Sequence, residues 1–230
     1  MDSRIDSHKW MYHPEWVAKW KEALKNKNWE VAKRLYPVYM EITPIEYCNH
    51  RCTFCALDYV GHRTIFLDRN VFKRTLVEMA EGGVKSVMFA GEGEPTLYRN
   101  LPEIMRHTKE LGIDISLTTN GTAMNKKFLA ESLGYITWIK VSIDAGEKET
   151  YLKIHRPKNS QDWERVFENL KEAVRLKKKH GYACWIGAQA ILLPPGIDEK
   201  CNIIPGNIGE LKKLSRTLKK IGLDAFVVKP

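Results

Sequence analysis

Residues 84–121 read "VKSVMFAGEGEPTLYRNLPEIMRHTKELGIDISLTTNG" and decide the fold class. "VKSVMFAG" is an apolar run of strand length. "LPEIMRHTKELG" places its apolar residues at helical spacing, with Pro102 in the first turn and Gly112 at the end. "IDISLTTNG" is a second strand. Two buried strands joined by a crossover helix argue for parallel pairing, because parallel neighbours need such a connection.

The same rhythm extends both ways. Upstream, "VYMEITP" (38–44) is a short strand and "LDRNVFKRTLVEMAEGG" (67–83) a helix, with Asp68 as N-cap and Gly82-Gly83 as its stop. Downstream come "KKFLAESLG" as helix, "ITWIKVSIDA" as strand, two helical stretches at 147–154 and 162–180, "ACWIGAQAILLP" as strand, "IGELKKLSRTLKKIG" as helix and "LDAFVVK" as the last strand. Six strands near 39, 85, 114, 137, 184 and 224 define an α/β domain over 38–230. Residues 14–35 form one or two amphipathic helices, so 1–37 is an N-terminal helical extension. Two architectures fit the alternation: an open doubly wound sheet, or a (β/α) barrel, closed or partial. Either one places the chemistry at the carboxyl ends of the strands.

Those ends carry small and polar residues. The loop after the second strand holds Gly91, Gly93, Glu94 and Pro95, and its glycines let backbone approach a ligand closely. The third strand ends in Thr118, Thr119 and Asn120. The fourth supplies Ser142 and Asp144, and the fifth Gly187, Gln189 and Ile191. Turn chemistry alone explains any one of these ends. Four in succession point to a site. The fingerprints of Rossmann and P-loop nucleotide sites are absent from the sequence.

Beyond the first strand lies "EYCNHRCTFCALDY" (46–59), with Cys48, Cys52 and Cys55 at C-x₃-C-x₂-C spacing. These are three of only five cysteines, an odd and clustered set that fits a disulfide framework poorly. Thiolates at this spacing suit zinc or an iron–sulfur cluster. A zinc site needs a fourth ligand, which His50 or His62 could supply. A four-iron cluster on three cysteines leaves one iron open to a substrate or cofactor. The remaining loops are weaker signals: Lys153, His155 and Arg156 in "YLKIHRP", Asp58, Tyr59, His62 and Arg63 after the cysteines, and a long loop at 194–207 that suits a lid or a mobile segment. Cys184 reads as a buried small residue.

The cysteine motif, with Phe54 before its last cysteine, resembles that of the radical S-adenosylmethionine (SAM) enzymes, and "GEGEP" resembles their Gly-Gly-Glu-Pro element, with Glu92 where the first of two adjacent glycines would fall. The likeness covers about 38–230. It implies a partial (β/α)₆ TIM-type barrel in which Cys48, Cys52 and Cys55 ligate a [4Fe-4S] cluster, and SAM chelates the fourth iron. Reductive cleavage of SAM would then give a 5′-deoxyadenosyl radical that abstracts a substrate hydrogen. By the same resemblance the Gly91–Pro95 loop holds the methionyl amino group. Thr119 and Asn120 or Ser142 and Asp144 meet the ribose or carboxylate, Gln189 and Ile191 lie near adenine, and Tyr47 and Phe54 cover the cluster. A flavodoxin- or ferredoxin-type protein would donate the electron.

The formal charge of +9 draws in acidic partners, although lysines on helical patterns also make an ordinary solvated surface. Small anionic sugars, nucleosides or nucleotides rank first as substrates, peptides second and RNA third, since no RNA-binding module is visible. A glycyl-radical activase and a non-catalytic zinc or Fe-S protein are the competing classes. No apolar run is long enough to span a bilayer, and the N-terminus lacks a signal-peptide pattern, so the expected setting is cytoplasmic with no membrane partner.

Overall fold

The apolar runs pair as the alternation requires. The computed structural model describes residues 8–198 and 201–230; the first seven residues of the N-terminal extension lie outside them. In chain order the strands are β1 (Tyr39–Ile42), β2 (Ser86–Phe89), β3 (Asp114–Thr119), β4 (Trp138–Ser142), β5 (Trp185–Ile191), β6 (Gly196–Ile197), β7 (Ile203–Ile204) and β8 (Ala225–Lys229). The helices are α1 (Pro14–Lys25), α2 (Trp29–Ala32), α3 (Ala56–Val60), α4 (Arg69–Glu81), α5 (Leu101–Glu110), α6 (Lys126–Ser132), α7 (Lys148–His155), α8 (Asp162–His180) and α9 (Leu211–Ile221).

Six strands form one sheet in the order β1-β2-β3-β4-β5-β8, every pair parallel. That order separates the two candidate architectures. A doubly wound sheet reverses its strand order at a switch point. Here each strand lies beside its predecessor, as in a winding barrel, and among the described residues β1 does not pair with β8. The result is a partial (β/α)₆ barrel.

Alternation along the strands gives the sheet two different faces. Ile42, Val87, Phe89, Ile115, Leu117, Ile139, Val141 and Ile186 belong to the core shared with the helices, which contribute Leu76, Ile104, Leu129, Leu170 and Leu218. Burying each such side chain stabilises by about 1.5–3 kcal/mol. The alternate positions Met88, Thr118, Lys140, Ser142 and Gln189 are half-buried on the concave face. Local signals act as read: the Asp68 carboxylate accepts from the Asn70 and Val71 N–H groups at 2.9 Å, capping α4, and Gly83 follows that helix at φ +92°.

The N-terminal extension packs on the amino-end edge of the sheet. The His8 ring lies 5.3 Å from Tyr39 and 6.2 Å from Trp138. Two elements were not expected: α3, immediately after Cys55, and the antiparallel β6–β7 pair within the 194–207 loop, of which 199–200 lie outside the described residues. Among the described residues no helix is long and apolar enough to cross a membrane.

Candidate functional site

Residues 43–47 carry the chain from the end of β1 to Cys48, and the loop after β2 lies directly on them. The Glu94 N–H donates to the Tyr47 carbonyl at 2.9 Å. A Cβ on Gly93 would fall 2.2 Å from the Ile45 carbonyl oxygen and 2.5 Å from that of Tyr47; one on Gly91, at φ +109°, would fall 1.9 Å from Thr43 Oγ1. These glycines therefore admit the chain's own run-up to the cysteines. Glu94 is buried, and its carboxylate accepts from Thr96 N (3.0 Å), Thr96 Oγ1, Thr119 Oγ1 and Asn120 N (2.7 Å). Burial pushes its carboxyl upward against those bonds. Glu94 thus ties the ends of β2 and β3 together beneath the cysteine loop.

On the other side, the loop is held by α7. The Arg51 N–H donates to the carbonyls of His155 and Arg156, and the Thr53 N–H donates to Ile154. The buried His155 ring lies 4.4 Å from Tyr151, centroid to centroid, with Phe54 at 6.1 Å. His155 Nε2 accepts the Asp144 backbone N–H at 3.0 Å. Burial drives the imidazole down to a pKa of about 3, so the ring is neutral and holds one proton. With Nε2 accepting, that proton sits on Nδ1, which lies 3.4 Å from Cys52 Sγ. Asp144 Oδ2 also lies 3.4 Å from Nε2, but the fixed backbone donor makes Nε2 an acceptor, so the ring gives that oxygen no proton. Asp144 Oδ1 accepts from the Ile191 N–H, and burial raises this carboxyl to about 6.

Zinc and a four-iron cluster ask different spacings of the sulfurs. A tetrahedral zinc with Zn–S bonds near 2.3 Å brings its sulfurs to about 3.8 Å. Among the described residues, the set of ligand atoms within 4.8 Å of one another is His50, Cys52 and His155, and it includes only one of the three cysteines. The three thiols do not all lie within 4.8 Å of one another, a spread that a cluster accommodates. Cys52 and Cys55 also line a cavity of about 290 Å³ with Asp58, Arg156, Asp198 and Ile204, under the β6–β7 pair. Burial raises the Cys48 thiol to about 11 and the Cys52 thiol further. Such thiols become thiolates when a cation shares the site. The residues fit a cluster.

The other expected residues spread along the same rim. Pro95 opens a short 3₁₀ turn behind Glu94. Asn120 donates to Asn49 Oδ1 at 2.8 Å, which joins β3 to the cysteine loop. Gln189 donates to Ser142 Oγ at 3.2 Å across β4–β5, and Ile191 lies half-buried at the end of β5. Arg156 pairs with Asp198 at 2.5 Å, and Tyr47 bonds Lys158 at 2.7 Å. Asp58 and Tyr59 line the cysteine cavity, whereas Arg63 is bound by the Glu46 carboxylate and His62 by its carbonyl. Cys184 is buried and Cys201 exposed.

Two residues were missed. Asn49 donates to Thr122 Oγ1 at 2.8 Å besides meeting Asn120. Asn207, fully buried, donates to the carbonyls of Asp144 and Ile191 and accepts from Leu193. Asn49 could have been noticed from its place inside the cysteine motif; Asn207 gave no signal in its loop.

Residues 42–200 match the Radical SAM superfamily. An S-adenosylmethionine-dependent nucleotide dehydratase of Flammeovirga pacifica is 30% identical over 142 residues, covering 60% of this chain and 48% of that protein. A probable GTP 3′,8-cyclase of Saccharolobus islandicus is 33% identical over 136 residues, covering 59% and 43%. The chain spans about half the length of these relatives or less. Among solved structures, Streptococcus suis SuiB bound to its precursor peptide SuiA superposes with a TM-score of 0.67 at 22% identity, over 90% of this chain and 44% of SuiB. That likeness concerns the fold.

Proposed function

The chain belongs to the radical SAM superfamily, and from that premise we propose that it abstracts a hydrogen from a small anionic sugar, nucleoside or nucleotide. The observation that carries the site assignment is the three-cysteine loop seated on the carboxyl edge of the parallel sheet, its sulfurs not all gathered within 4.8 Å of one another. Chemistry in this superfamily consists of reductive SAM cleavage at a [4Fe-4S] cluster, yielding a 5′-deoxyadenosyl radical.

Cys48, Cys52 and Cys55 would hold three irons. The loop of Gly91, Gly93, Glu94 and Pro95 would face the methionyl amino group, and Thr119, Asn120, Ser142 and Asp144 the ribose and carboxylate. Gln189 and Ile191 would border adenine. Glu94 already accepts on both carboxylate oxygens, so its proposed part is to fix the shape of the rim, whereas Asp144 accepts on Oδ1 alone and its buried Oδ2 has no donor among the described residues. The substrate class draws support from the charge of +9 and from relatives whose names specify nucleotides. A reducing, cytoplasmic setting with an acidic flavodoxin- or ferredoxin-type donor suits the unpaired cysteines and the basic surface.

The test is anaerobic. Protein reconstituted with iron and sulfide, then given dithionite and SAM, should release 5′-deoxyadenosine on a chromatogram. Uptake of zinc with SAM left intact would overturn the reading.

His155 provides a second expected result. A hydrogen bond to a ligating sulfur withdraws charge from it and raises the cluster potential. His155→Phe should therefore lower the midpoint in an EPR-monitored redox titration, and His155→Asn, which keeps a donor near Nδ1, should restore most of it. Equal midpoints in all three proteins would remove the Nδ1–Sγ bond from the account.

A further inference from the structure

Lys140 occupies a position that neither the cluster nor the rim uses. It lies mid-strand on β4, in register with Thr118 of β3 and Gly187 of β5, on the concave face. One row towards the amino end are Ser116, Trp138 and Trp185; one row towards the carboxyl end are Ser142, Gln189 and Val227. Its ammonium sits 4.7 Å from the Trp138 ring centroid. Trp185 folds its ring across Gly187, so close that a Cβ there would be 2.5 Å away. The lysine thus stands on an aromatic floor, below the rim.

Among the described residues no acid pairs with Lys140, whereas most lysines that approach an acid do so at the surface, as Lys109 does with Asp114. Among the described residues the charges that act on it are cations: Lys229, two residues beyond Val227 on β8, and Lys9, from the N-terminal extension. Burial and those two cations together lower its pKa. A half-buried cation facing further cations is costly to hold. A bound dianion would remove that cost.

We propose that Lys140, assisted by Lys229, is the subsite for a phosphate group of the substrate inside the concave face of the sheet. The inference rests on the anionic-substrate reading above and makes it specific: phosphate oxygens, with the rest of the molecule reaching away from the Trp138 and Trp185 floor, past Ser142 and Gln189, towards the rim. An ammonium is a compact point charge suited to phosphate.

The experiment is an isothermal titration of the anaerobically reconstituted chain with inorganic pyrophosphate, and separately with malonate. Lys140→Gln should weaken pyrophosphate binding by about tenfold or more. Lys140→Arg, which keeps the charge, should stay within about threefold of wild type, and Lys127→Gln, at an exposed site on α6, within about twofold. Equal affinity in wild type and Lys140→Gln would overturn the proposal. So would an equal loss in Lys127→Gln, which would mean general surface attraction. Malonate binding tighter than pyrophosphate would overturn the choice of phosphate. Cluster content and 5′-deoxyadenosine formation, measured on the same samples, report on the radical SAM reading independently of the titration.

Discussion

Gly93→Ala should cost the protein its cluster site. The added Cβ would lie 2.2 Å from the Ile45 carbonyl oxygen, 2.5 Å from the Tyr47 oxygen and 2.7 Å from the Glu46 carbonyl carbon. All three are backbone atoms, so no rotamer change relieves the contact. The segment 45–47 must move, and Cys48 is the next residue. Overpacking of this kind costs about 1–3 kcal/mol where neighbours can adjust, and a fixed backbone puts the cost at the upper end. Displacing the loop also strains the Glu94–Tyr47 bond. We expect a lowered thermal midpoint and loss of most iron and sulfide per chain after reconstitution. Gly112→Ala is the control. Its φ of +79° is strained for alanine, but nothing lies within 4 Å of the new Cβ, so about 1 kcal/mol of stability should go while the cluster stays. Full cluster content in Gly93→Ala would show that the loop does not set the position of Cys48.

The glycines illustrate what a sequence can and cannot disclose. Their place after the second strand was legible, because apolar runs and crossover helices fix which loops share an edge. Their use was not. The sequence suggests clearance for a ligand; the clearance seen is taken up by 43–47, which depends on β1 and β2 being neighbours. His155 was harder still. It ends an unremarkable helix, precedes Arg-Pro, and meets Cys52 from 103 residues away. Nothing local distinguishes a histidine that ends a helix in solvent from one sealed against Tyr151. The short elements escaped for another reason: α3 spans five residues with no side-chain cap, and β6 and β7 have two residues each. Elements of that size are too short to show a period. The sheet, by contrast, repeats its pattern six times, and repetition made the barrel readable.

Cys52→Ala and Cys52→Ser should separate the two jobs of one sulfur. Both variants should lose the cluster, because neither a methyl nor a hydroxyl replaces a soft thiolate at iron. Their cluster-free forms should differ. In wild type the Nδ1–H of His155 points at Cys52 Sγ, 3.4 Å away, in a buried setting. Serine retains an acceptor there; alanine leaves the imidazole N–H with nothing to meet. An orphaned buried donor costs about 1–3 kcal/mol. Urea unfolding of the apo proteins should place Cys52→Ser near wild type and Cys52→Ala below it by about that amount. The outcome bears on more than stability. A difference between the two variants would mean that the imidazole is aligned on the ligand position before any metal arrives, so the loop is set by the fold rather than by the cluster. Identical unfolding curves would mean that His155 finds another partner in the apo protein, and that its alignment on Cys52 depends on the thiol being held by iron. Iron and sulfide near the wild-type content in either variant would remove Cys52 from the ligand set and with it the assignment of the three-cysteine loop.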